Sequence, residues 1–167
     1  DGRTLGTAPS IVGTSRRTHD GVVRPPVRQK AEVLRDRYNE LRLEMDGGFA
    51  VVFRAYDEGV AYRFETTLPQ ASVTVEGEEA VVRFTHDFVV FFPEELGFFS
   101  HNERHYLPRA LRDLGPDNLA SLPAVVAAGT VKVAIAESDV EDYPGLWLRG
   151  APGAALAATF PPHPLKE

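Results

Sequence analysis

Between Tyr38 and Phe64 apolar residues fall on every second position. Leu41, Leu43 and Met45 alternate with Glu40, Arg42 and Glu44; Phe49, Val51 and Phe53 resume the pattern, then Val60, Tyr62 and Phe64. Strand side chains point alternately to opposite faces, so period two marks half-buried strands and excludes the 3.6-residue period of a helix. The runs are separated by Asp46-Gly47-Gly48 and Asp57-Glu58-Gly59. Glycine accepts positive φ without steric cost, so both tripeptides read as hairpin turns.

The rest of the chain follows the same grammar less strictly. Strands are expected at Ser72–Glu76, Ala80–Thr85 and Phe88–Phe92, with Gly77 as a break, and again at Val131–Ile135, Leu146–Leu148 and Leu156–Phe160. Residues 1–37 are polar and turn-rich around Pro25-Pro26, with room for short strands near Ser10–Val12 and Val33–Arg37. Leu107–Leu114 has the apolar spacing of a short helix stopped by Gly115-Pro116. With 14 Gly and 13 Pro punctuating short runs, the expected fold is an all-β antiparallel β-sandwich with at most one short helix. Residues 1–160 form its one domain, and 161–167, beginning Pro161-Pro162, read as a Pro-rich linker.

Charge narrows the partners. The net charge is -6, whereas binding a nucleic-acid backbone relies on excess Lys and Arg. The basic residues Arg24, Arg28, Lys30, Arg35 and Arg37 are interrupted by Glu32 and Asp36, so they read as a solvated segment. No apolar run approaches the roughly 20 residues of a membrane helix. With no cysteine, disulfides and thiolate metal sites are excluded. There is no Gly-x-Ser-x-Gly elbow, phosphate loop or dinucleotide fingerprint.

Two clusters have chemical potential. The acidic group Glu137, Asp139, Glu141 and Asp142 follows the Val131–Ala136 run. Calcium takes roughly six to eight oxygens, often carboxylates in loops, but this spacing lacks the EF-hand glycine and distal glutamate. A solvated acidic turn is the plain alternative. The second cluster is Ser100-His101-Asn102-Glu103-Arg104-His105-Tyr106. On a helix, His101 and His105 would share a face, as in some zinc sites. Otherwise it is a polar loop, either beside a ligand or simply on the surface. Glycoside hydrolysis needs two carboxyl groups flanking the scissile bond, and no spacing here singles out such a pair.

Read together, these segments resemble the N-terminal domain of glycoside hydrolase family 97. The resemblance rests on Tyr38-Asn39-Glu40-Leu41, on the segment from Phe53-Arg54-Ala55-Tyr56-Asp57-Glu58-Gly59 to Phe64, on Ile135-Ala136-Glu137 through Tyr143-Pro144-Gly145-Leu146-Trp147-Leu148, and on the exit Phe160-Pro161-Pro162-His163-Pro164. Residues 1–37 depart from the family pattern, and Leu107–Leu122 is longer than it. The resemblance implies a β-super-sandwich preceding a (β/α)8 barrel that carries the catalytic carboxylates, in exo-acting, calcium-dependent α-glucosidases or α-galactosidases. It therefore implies no catalytic residue here, and an inactive isolated chain. By motif position it makes Glu137 a ligand of the active-site Ca2+ and sets Ser100, Glu103 and Tyr106 in a loop near the sugar. The implied partners are the barrel of the same polypeptide and an oligosaccharide or α-glycoside substrate. The implied location is the bacterial periplasm or outside the cell. The alternative, from the residues alone, is a free-standing carbohydrate-binding or protein-interaction β-sandwich.

Overall fold

A computed structural model describes residues 2–27, 30–138, 140–141 and 143–162. The chain divides into two compact units, Asp1–Val73 and Thr74–Glu167. Both are built of antiparallel strands, and the protein is all-β, as the periodicity predicts.

The first unit is a four-stranded meander: β1 (Ile11–Val23), β2 (Leu34–Met45), β3 (Phe49–Ala55) and β4 (Val60–Thr66), paired in sequence order. The turns joining β2 to β3 and β3 to β4 are the two expected ones. Gly47 and Gly48 hold φ of 90° and 82°, a region closed to most side chains. Leu41, Leu43 and Met45 share one face by register with Val51, Phe53, Tyr62 and Phe64. On the other face Arg17, Glu40 and Arg54 lie opposite one another across three strands. Glu40 accepts hydrogen bonds from Arg17 Nη2 and Arg54 Nε, each at 2.8 Å, and the Arg54 guanidinium lies 4.3 Å from the Tyr38 ring centroid. The Arg17 hydrogen bond, with that from Arg54, outweighs burial and holds the Glu40 carboxyl down to about 2.

The short opening strands expected at Ser10–Val12 and Val33–Arg37 are parts of much longer ones. Strand β1 has 13 residues but no apolar alternation. It is held by pairing with β2 and by polar cross-strand contacts: Arg35 Nη2 donates to Asp20 Oδ2 at 2.9 Å, and Thr18 Oγ1 donates to Asn39 Oδ1 at 3.0 Å.

The second unit contains β5 (Val81–Arg83), β6 (Val89–Glu95), β7 (Tyr106–Ala110), β8 (Leu119–Ala120), β9 (Ala124–Ala128), β10 (Val131–Ile135), β11 (Trp147–Ala151) and β12 (Ala155–Thr159). They form one eight-stranded sheet in the order β10-β9-β6-β8-β11-β12-β5, with β7 also paired to β6. Strand β6 is its pivot. Val89–Phe91 pair with β9, whereas Glu94 and Glu95 pair with β8. The buried positions change phase along it, from Val90 and Phe92 to Pro93 and Glu95. The core gathers Val90, Phe92, Leu111, Leu114, Ala120, Ala124, Val126, Leu148 and Leu156. Gly150 lets the Leu114–Gly115 backbone pass: a Cβ there would stand 2.3 Å from the Leu114 carbonyl carbon.

Two expectations fail. Ser72–Glu76 forms no strand; Val73 and Val75 alternate as predicted but stay exposed without a sheet partner. Leu107–Leu114 is not a helix. Tyr106–Ala110 pairs with β6, and only Leu111–Asp113 makes a 3-10 turn. Pro108 biases its predecessor toward extended backbone, and pairing with β6 overrides the helical spacing.

Candidate functional site

A cleft of about 340 Å³ lies in the second unit, lined among others by Asn102, Ser121, Pro123, Glu137, Leu146 and Trp147. It brings together residues from both segments singled out in the sequence. Glu137 stands two residues beyond β10, and its Oε2 accepts the Leu146 N–H at 2.7 Å. That bond ties the exit of β10 to the entry of β11. Nearby, Tyr143 Oη donates to Glu78 Oε2 at 2.9 Å. Burial, reinforced by the Glu78 hydrogen bond and by the charges of Glu78 and Glu137, pushes the Tyr143 hydroxyl up to about 12.

Of the acidic group, Glu141 is exposed, while Asp139 and Asp142 lie outside the described residues. Among the described residues no three His, Cys, Asp or Glu gather as a metal cluster. A carboxylate oxygen suits a hard cation such as calcium, so Glu137 fits as one ligand of a site completed from elsewhere. The described residues around it do not make a whole site.

The Ser100–Tyr106 segment owes its shape to a residue the sequence reading passed over. Glu95, the last residue of β6, has a side chain with 0% exposure. Its Oε2 accepts Ser100 Oγ at 2.7 Å and Arg104 Nε at 2.7 Å, and its Oε1 accepts Ser121 Oγ at 3.2 Å. Burial pushes the Glu95 carboxyl up, but Arg104 and the two hydroxyls outweigh it and leave it below its ordinary value. Ser100 Oγ also accepts the Asn102 N–H at 3.0 Å, which places Asn102, at φ 57°, on the cleft wall. Glu103 is exposed and its N–H donates to His101 Nδ1 at 3.0 Å; Tyr106 begins β7 opposite Pro93. The His101–His105 stretch is a loop running toward β7, so the one-face helical arrangement proposed for zinc does not form. A signal for Glu95 did exist in the sequence: the second of two glutamates after an apolar run, five positions before Ser100 and nine before Arg104.

Chemically, among the described residues Glu137 is the one carboxylate on the cleft wall, and Glu95 is committed to its three donors. An acid and base pair for glycoside cleavage is therefore not assembled among the described residues of this cleft.

The sequence matches the Glycosyl-hydrolase 97 N-terminal family over residues 1–163. The chain belongs to that family. The match takes in residues 1–37 as well as Leu107–Leu122. The glycosyl-hydrolase 97 N-terminal domain is also 35% identical, over 175 residues, to a retaining alpha-galactosidase of Bacteroides thetaiotaomicron. That alignment covers 98% of this chain and 26% of the relative, so the chain spans about a quarter of the relative's length. Among the described residues no helix is long and apolar enough to cross a membrane.

Proposed function

We propose that this domain serves an exo-acting α-galactosidase, in which the catalytic carboxylates sit on a separate (β/α)8 barrel of the same polypeptide. The domain contributes Glu137 as one oxygen ligand of a calcium ion, and the Ser100–Tyr106 loop borders the sugar. The observation that carries the reading is the 35% identity, along nearly the whole chain, to a retaining alpha-galactosidase. The shared cleft of Glu137 and Asn102 supports it, since it joins the metal candidate to the loop. When bound, calcium polarises a sugar oxygen or orients water. This chain's own part is to hold one carboxylate, fixed by the Leu146 N–H, toward the cleft.

The test is Glu137→Gln in the full-length protein, assayed on p-nitrophenyl α-galactoside and α-glucoside against free calcium. The calcium needed for half-maximal activity should rise on the order of tenfold or more. An unchanged calcium requirement removes Glu137 from the site. Turnover of the glucoside alone replaces the galactosidase reading with its sister activity, and turnover of neither favours a free-standing binding module.

A further inference from the structure

The turn between β6 and the Ser100 loop displays two large apolar side chains outward. Leu96 is 98% exposed and Phe99 105% exposed. Scattered single apolar residues on a surface are ordinary, but these two stand three apart on one fixed turn. Phe98 between them faces inward, packed edge-on against Trp147 with ring centroids 5.4 Å apart and with Arg149 5.9 Å from its ring. On one flank Glu95 is buried; on the other Ser100 and Arg104 are bonded to it. The turn is thus clamped at both ends and in the middle, and it cannot fold its two outer side chains onto its own unit without breaking those contacts.

We infer that Leu96 and Phe99 are a docking contact, seated in an apolar recess of the catalytic domain of the same polypeptide. This rests on the proposed function, which supplies that domain. Two observations choose this occupant. About three quarters of the length of the alpha-galactosidase relative has no counterpart in this chain, which leaves room for a large covalently joined neighbour. The turn is also continuous with the cleft: the Glu95–Ser100–Asn102 chain of hydrogen bonds runs from its base to the cleft wall. A rigid apolar tip beside a cleft that needs residues from a second domain would set how closely that domain approaches. A few large side chains seated in a well-packed pocket carry most of the energy of a docking contact.

The experiment compares the full-length protein with its Leu96→Ser/Phe99→Ser variant by hydrogen–deuterium exchange. Both side chains are solvent-facing here, so far-UV circular dichroism should be unchanged. Amides of residues 96–102 should exchange roughly tenfold or more faster in the variant, while those of β6 stay as slow as before. Equal exchange in the two proteins overturns the inference. So does a fall in mass by light scattering from dimer to monomer in the variant, which would make a second copy the occupant. Hydrolysis of α-galactoside is read separately. Lost activity in the wild type with the exchange difference intact sinks the functional reading and spares the docking contact; full activity with no exchange difference does the reverse.

Discussion

Removing the Glu95 carboxylate is the sharpest perturbation the structure offers. Breaking a buried charge pair by deleting one partner costs about 3–5 kcal/mol when the other charge stays buried. Arg104 keeps 32% of its side chain exposed and can return to water, which takes the cost to the lower end. The hydroxyls of Ser100 and Ser121 each lose an acceptor, and Ser121 is buried. Glu95→Ala should therefore destabilise the second unit by about 3 kcal/mol. Glu95→Gln keeps one oxygen to accept from Ser100 and Arg104 and turns an amide NH2 toward the Ser121 hydroxyl, which can accept in turn, so the main loss is the charge, at about 1–2 kcal/mol. Trp147 is the chain's one tryptophan and packs against Phe98, so its fluorescence in urea reports on the second unit. With a slope of about 2 kcal/mol per molar urea, the midpoint should fall by roughly 1.5 M for the alanine variant. A shift below about 0.3 M would refute the anchoring argument, given that slope. The pH dependence adds a sign. The folded Glu95 carboxyl lies below its unfolded value, so its stabilisation is present above the ordinary carboxylate range and lost as pH falls through the folded value. The gap between wild type and Glu95→Gln should narrow under acid.

In the first unit, carbon-detected NMR titration should find the Glu40 carboxyl half-protonated at about 2, and Arg54→Ala should move that midpoint upward; no movement would mean that Arg54 does not hold the charge. The Gly150→Ala variant must drive a methyl into the Leu114–Gly115 backbone, which should cost about 1–3 kcal/mol or more and lower the melting temperature of the second unit. An unchanged melting curve would show that the turn yields freely.

What the sequence disclosed followed its apolar rhythm. The turns at Asp46-Gly47-Gly48 and Asp57-Glu58-Gly59 were legible because glycine and alternation agreed. Strand β1 was illegible at its true length because its side chains are polar on both faces and its register comes from β2. Strand β6 was legible as far as Phe92, where the buried phase changes and a period-two reading stops. Strands β8 and β9 escaped notice: one is two residues long, and the other, Ala-Val-Val-Ala-Ala, shows no contrast between its faces. At the site, only the family likeness singles out Glu137, since its own spacing is that of any acidic turn. Glu95 was missed because its partners are brought to it by the fold.

The change of phase at Phe92-Pro93 makes chain length matter there as much as residue type. Val90 and Phe92 count from one end of β6, and Glu95 counts from the other. A one-residue insertion between Pro93 and Glu95 would leave the aliphatic packing in place yet swing the carboxylate to the opposite side of the strand. Ser100 and Arg104 would lose their tether together. Natural relatives should therefore tolerate varied spacing elsewhere around the loop while keeping this interval fixed, a pattern readable from gap positions even where the side chains themselves have drifted.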